Sequence, residues 1–208
     1  MGFFKKDVPT DVTQWDTTSK YDSFWKTTGE FLLEIVKVVI ISLAIIIPIR
    51  SFLIQPFYVK GASMEPTFHD HQYLIINEIS YRFNPIARGD VVVFRYPKDP
   101  QQYFIKRIIG LPGERVVVRD GKIKIYNDDF KNGVEISENM YLDTTLTMGT
   151  KDVVLGDDEF FVLGDNRDAS LDSRSFGSVP KRLIVGKVWL RGYPFSQFKI
   201  FTTPQYQL

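Results

Sequence analysis

Arg115-Val116-Val117-Val118-Arg119-Asp120-Gly121-Lys122-Ile123-Lys124-Ile125-Tyr126 is the stretch that decides the fold class. Two short runs flank Asp120-Gly121, a pair that signals a two-residue hairpin. Lys122 to Ile125 alternates charged and apolar residues, so one face of that strand meets water. The same texture continues outward. Upstream, Gln72 to Asn77, Val91 to Phe94 and Tyr103 to Ile109 are short apolar runs; the last closes at Gly110-Leu111-Pro112-Gly113. Downstream, Glu159 to Leu163 and Ile184 to Arg191 read as strands. Asn127 to Asp152 is polar and irregular, part of a peripheral excursion around residues 114–156. Short strands, frequent turn signals and no long amphipathic helix predict an all-β sheet fold. No internal repeat is present.

At 208 residues the chain holds one sizeable domain plus an extension. Hydrophobic content of 44% argues against general disorder. The formal net charge is +1, and no basic stripe interleaved with aromatics occurs. Both disfavour nucleic acid as a partner. The chain has no cysteine, which excludes disulfides, thiol catalysis and cysteine metal sites.

Residues 1–30 read as a polar tail. The run from Phe31 to Leu53 is long enough to cross a bilayer if Glu34, Lys37 and Arg50 are tolerated near its ends. A thirty-residue polar lead and the absence of a small-residue exit argue against a cleaved secretory signal. The predicted organisation is a tail over 1–30, a single transmembrane helix over 31–54 and a β-rich domain over 55–208. Lys5, Lys6, Lys20 and Lys26 precede the span, while Arg50 and Lys60 follow it. That bias places the N-terminus in the cytoplasm and the β domain outside it.

Three stretches carry groups able to do chemistry. Gly61-Ala62-Ser63-Met64-Glu65-Pro66-Thr67 puts a serine at a bend, because Pro66 fixes its own φ and moves Glu65 out of the helical region. The same composition also suits an ordinary surface turn. His69 and His71 lie too close in sequence to Ser63 for a convergent triad, and a third metal ligand is not evident beside them. Lys106 lies in Tyr103 to Ile109, where alternation puts it with Phe104 and Ile108, and Arg107 with Ile105 and Ile109. One of these cations therefore sits over apolar surface. A desolvated lysine can fall by about 3–5 pKa units and act as a base; a lysine that snorkels at a sheet edge cannot. Gly164 to Gly177 follows an apolar strand and is dense in short hydrogen-bonding groups of both charge signs. It lacks the ligand spacing of a calcium loop and reads as a packed, salt-bridged loop beside a site.

Taken in order, these stretches resemble the type I signal peptidases, membrane-anchored serine peptidases with a Ser–Lys dyad. Gly61 to Thr67 resembles their serine box, and Gly89-Asp90-Val91-Val92-Val93-Phe94 the strand that follows it. Lys106 to Glu114 resembles their lysine box and Gly164 to Gly177 their last box. The resemblance covers roughly residues 31 to 192. It implies a coiled antiparallel β-sheet catalytic domain, with Ser63 as nucleophile and Lys106 as general base. It implies that Ser170 hydrogen-bonds and orients the lysine amine. Asp172 and Arg174 would hold the loop by a salt bridge, with Asp165 and Arg107 as further supports.

The same resemblance implies that Phe57, Tyr58, Val59, Lys60, Gly61 and Ala62 run beside the substrate as an edge strand, with Met64 shaping the pocket. The substrate would be the signal peptide of a secretory preprotein, with membrane lipid as the other partner and no metal or cofactor. Some members carry a hydroxyl residue where this chain has Gly61, which supplies a second oxyanion donor; Gly61 has no side chain to do so. Two other readings share parts of this pattern. One is a self-cleaving Ser–Lys peptidase of the repressor type, although a membrane span stands where that class has a DNA-binding module. The other is a membrane-tethered β domain that binds peptides without turnover.

Overall fold

The computed structural model describes residues 17–48, 54–142, 146–204 and 206. The chain divides into two units, Met1–Ile47 and Pro48–Leu208. Helix α1, Thr17–Pro48, begins well ahead of Phe31, so part of the stretch that reads as a polar tail is helical. Gly29 is the only glycine within it, and no proline interrupts it before its last residue; a helix once started gains a hydrogen bond with each added residue. Side chains of α1 from Phe31 to Ile47 are exposed, apart from half-buried Ser42. Among the described residues no helix is long and apolar enough to cross a membrane. The span expected over 31–54 continues through residues 49–53, which lie outside those described, as does the tail up to residue 16.

The second unit is built almost wholly from strands. They are β1 (Ile54–Tyr58), β2 (Tyr73–Asn77), β3 (Val91–Tyr96), β4 (Asp99–Gly110), β5 (Arg115–Arg119) and β6 (Lys122–Tyr126). Then come β7 (Val134–Glu135), β8 (Lys151–Val154), β9 (Glu159–Leu163), β10 (Val179–Pro180), β11 (Ile184–Tyr193) and β12 (Lys199–Ile200). Two single-turn helices, α2 (Ser80–Phe83) and α3 (Ser173–Phe176), interrupt them. The larger sheet runs β1-β2-β11-β3-β4-β9-β10, with β12 beside β11; the smaller runs β7-β6-β5-β8. Every pairing is antiparallel.

Strand β3 shows why the larger sheet holds together. Val91, Val92, Val93 and Phe94 are all buried, so this strand is covered on both faces. Val91 and Val93 join Val59, Met64, Phe68, Leu74, Ile76 and Val188 in one cluster. Val92 and Phe94 join Ile108, Phe160, Val162 and Leu183 in another. Alternation along one strand thus feeds two cores. Register shifts interrupt the pairing of β11 with β2 and β3, of β3 with β4, and of β4 with β9. Such irregularities bend strands and add twist. The sheet coils far enough for Phe57 of β1 to meet Tyr103 of β4 at 5.5 Å between rings, although β2, β11 and β3 lie between them in the ladder.

The hairpin β5–β6 forms as its sequence predicts. Asp120 and Gly121 have φ of 54° and 78°, the positive pair that the tightest twisted hairpin turn needs. Val116, Val118, Ile123 and Ile125 turn inward onto Ile109, Phe161 and Leu163 of β4 and β9. The excursion around 114–156 is therefore a second sheet seated on the first. Asn127 to Asp152, expected to be irregular, contains β7 and the start of β8. A two-residue and a four-residue strand are too short for alternation to be read. The edge strand expected over Phe57 to Ala62 instead covers Ile54–Tyr58. One more rung follows, between Val59 and the Gln72 carbonyl, before Gly61 turns away with φ +88°.

Candidate active site

The serine bend is pinned from below. Met64 and Phe68, which flank it, are buried in the core beneath β2 and β3. The Phe68 N–H donates to the Met64 carbonyl and the Glu65 N–H to that of Ala62. Asp70 accepts from the Gly61 N–H at 2.9 Å, which closes the loop on its other side. Thr67 donates to Asp165 at 2.6 Å, tying this loop to the one after β9. Ser63 is left half-exposed at the crest.

Lys106 rises to meet it from the middle of β4. Its Nζ lies 2.8 Å from Ser63 Oγ and donates to the Ile105 carbonyl at 2.9 Å. The residue is only 4% exposed. Burial lowers its pKa from 10.5 to about 8, against the opposing pull of Asp172 and Asp165. Both carboxylates are already held by arginines. Asp165 takes two bonds from Arg107, at 2.8 and 2.6 Å. Asp172 takes two from Arg174, both at 2.9 Å. The amine thus has no carboxylate of its own, and desolvation wins.

The loop after β9 closes the other side. Asn166 donates its backbone N–H to the Ser63 carbonyl at 3.1 Å and its side-chain amide to that of Ala62 at 3.1 Å. Gly164 makes this approach possible, because a Cβ there would collide with both the Ser63 carbonyl oxygen and Ser170. Asp172 accepts from the Gly164 N–H at 3.2 Å and caps α3 by accepting from the Arg174 N–H. Beneath the loop Arg167 forms a buried pair with Glu138, with N–O distances of 2.5 and 2.6 Å. The Arg107 guanidinium lies over the Tyr141 ring, with Cζ 3.9 Å from its centroid. Glu138, Tyr141 and Arg167 were not singled out from the sequence. The usable signal was that Arg167, in so dense a loop, would need an acid from elsewhere.

A cleft of about 680 Å³ opens over Ser63 and Lys106. One wall is Phe57 to Ala62 and the other is Gln102 to Lys106. Leu74 and Val93 form the floor, and Ala169 and Leu171 stand at one end. Among the described residues β1 pairs only with β2, and β4 ahead of Arg107 pairs only with β3. Each wall therefore presents a strand edge that no further strand of the described residues pairs with, although the Ile105 carbonyl is taken by the Lys106 amine.

Two expectations need correction. The Ser170 hydroxyl does not bond to the Lys106 amine; it is buried without a hydrogen-bond partner. It packs down over Gly164, and the amine is satisfied by Ser63 and the Ile105 carbonyl instead. Met64 does not line the cleft, because its side chain points into the core under the serine loop. The histidines also settle locally. His69 Nδ1 is 3.5 Å from Glu65 and His71 Nε2 is 3.2 Å from Asp70. No cluster of three metal-ligating side chains occurs among the described residues.

Comparison with known proteins identifies the family of the chain. Residues 32–193 match the model of the family described as signal peptidase, peptidase S26. Signal peptidase IB of Staphylococcus aureus strain MRSA252 is 32% identical over 185 residues, covering 84% of this chain and 96% of that protein. A probable signal peptidase I-2 of Synechocystis is 36% identical over 175 residues, covering 82% and 77%. A crystal structure of a signal peptidase I from Enterococcus faecalis aligns with a TM-score of 0.41 at 30% identity, over 50% of this chain and 97% of that one. The chain is a serine endopeptidase, a hydrolase of peptide bonds. It belongs to the signal peptidase family, peptidase S26.

Proposed function

We propose that the chain is a membrane-anchored endopeptidase that removes signal peptides from exported preproteins, with Ser63 as nucleophile and Lys106 as general base. The observation that carries this reading is the buried amine 2.8 Å from the serine hydroxyl, with its pKa drawn down to about 8. A neutral Lys106 Nζ takes the Ser63 proton as Oγ attacks the scissile carbonyl carbon. The tetrahedral oxyanion then collapses, the C–N bond breaks, and the Lys106 ammonium returns its proton to the leaving amine. Water, deprotonated by the same amine, attacks the acyl carbon; the C–Oγ bond breaks and the Lys106 ammonium returns its proton to Ser63 Oγ. Gly61 brings no side-chain donor to the oxyanion, so on this reading the donors are backbone N–H groups, that of Ser63 among them.

The cleft supports a peptide substrate in extended form. A chain laid between β1 and β4 can bond to either free edge while alternate side chains enter the walls. Anchoring is supported by the apolar side chains exposed along α1 from Phe31 to Ile47. On this reading residues 31–54 hold the enzyme in the cytoplasmic membrane, with the catalytic domain on its outer side. Purified enzyme in detergent micelles, given a preprotein, should release the mature fragment with a new N-terminus at the signal boundary. Cleavage by Ser63→Ala at the parent rate would refute it.

A further inference from the structure

Behind the serine loop lies a second concavity, of about 670 Å³. Its walls are Pro66, Thr67 and His69 of that loop, the Arg107–Tyr141 contact, and the segment from Arg191 to Pro204. Arg191 and Lys199 converge here on one ring: their charged groups lie 5.7 and 5.5 Å from the centroid of Phe201. Among the described residues neither cation has a carboxylate partner. Among the described residues no aspartate or glutamate lines the pocket. The charge of Arg107 is already met by Asp165.

Arg191 is held in place but meets no carboxylate among the described residues. Its Nε donates to the Gln197 carbonyl at 2.7 Å. Nη1 makes only long bonds, 3.4 Å to the Thr67 carbonyl and 3.2 Å to Gln72 Oε1. Nη2 donates to no atom of the described residues. Partial burial pulls this guanidinium below its ordinary value, as expected for a charge that has lost water without gaining a counter-ion.

Two cations around one concavity, neither met by a carboxylate of the described residues, suit an anion from outside. We propose that this pocket binds a phosphate group. A carboxylate has two oxygens in one plane. A phosphate presents several in different directions, which suits a guanidinium fork and an ammonium approaching from separate positions. The Thr202 hydroxyl and Gln197 amide on the same walls add neutral partners. The volume leaves space for a substituent on the phosphate. Phe195, Phe198 and Ile200, all more than half exposed, stand on the adjoining segment. The phosphate can therefore be free or carried on an anionic lipid.

The test uses the full chain carrying Ser63→Ala in maltoside micelles, so that turnover plays no part. The thermal midpoint is followed while inorganic phosphate, phosphatidylglycerol or dioleoylglycerol is added, with chloride at matched ionic strength as control. A saturable rise with inorganic phosphate assigns a soluble ligand. A saturable rise with phosphatidylglycerol, absent with phosphate-free dioleoylglycerol, assigns a lipid headgroup. In either case Arg191→Gln should weaken the apparent Kd by about tenfold or more, and Lys199→Gln by roughly several-fold. Lys199 is exposed, so its variant reports even if Arg191→Gln folds poorly. No saturable rise with either phosphate probe, or a rise that both substitutions leave unchanged, overturns the proposal.

Discussion

Lys106 and Arg107 are consecutive residues of β4, equally buried, and they face opposite sides of the strand. Arg107 meets a carboxylate, a threonine hydroxyl, the Gly89 carbonyl and the face of Tyr141. Its pKa is raised despite burial. Lys106 meets one hydroxyl, one carbonyl and the Phe104 ring at 5.4 Å. Its pKa falls to about 8. Burial alone decides nothing; what matters is whether an acid is buried alongside. One side of the strand fixes a charge that ties two loops together, and the other buries an amine with no carboxylate bonded to it.

The largest test of that contrast is to give the Lys106 side a cation that cannot deprotonate. Lys106→Arg should cut turnover by about 10⁴-fold, because a guanidinium keeps its protons in proteins. Single-turnover cleavage of a preprotein measures it, and appreciable activity would break the distinction. Next comes the opposite loss. Arg107→Met leaves Asp165, with a fully buried side chain, without its partner. The cost should be about 3–5 kcal/mol in denaturant unfolding. A smaller loss would mean that Thr67 alone satisfies that carboxylate.

Removing the other cation should have the reverse sign. The folded pKa of Lys106 lies below its ordinary 10.5. Below about pH 8 the amine is protonated in both states, and the folded state bears the cost of burying the charge. Between about 8 and 10.5 the folded state has lost a proton that the unfolded state still holds, so the parent gains stability as pH rises. Lys106→Met should therefore be more stable than the parent by up to about 3 kcal/mol at pH 7, with the difference fading above pH 10.5. Unfolding of both proteins across that range measures it, and a variant less stable at pH 7 would contradict the account. The smallest effect is in the rate itself. Turnover should rise about tenfold per pH unit below the lysine pKa and level off above about 8. A rise that continued to 10.5 would indicate a hydrated amine.

Much of this contrast was legible before any coordinates. Strand alternation puts Lys106 and Arg107 on opposite faces and requires one of them to sit over apolar surface, but it does not say which, nor whether Lys106 snorkels at an edge. Asp120-Gly121 located its hairpin to the residue, because two positive φ values are a local demand. What escaped was set by distant contacts. Glu138 and Tyr141 sit in a polar stretch with no periodicity, and their roles come from Arg167 and Arg107 elsewhere in the chain. The start of α1 was misplaced because helix propagation needs no apolar stripe. The orientation of Ser170 was not legible either, since it depends on how closely two loops pack across Gly164.

The unpaired edges that wall the cleft also matter when no substrate is present. A strand edge without a partner templates any extended chain, including another copy of the same protein. Here two such edges wall one cleft, so the empty cleft carries its own risk of self-association. Lys60 and Gln102, exposed on opposite walls, put polar groups beside those edges. Blunting the edges further would protect the idle molecule and, if the proposed substrate mode holds, shut out an extended peptide by the same stroke.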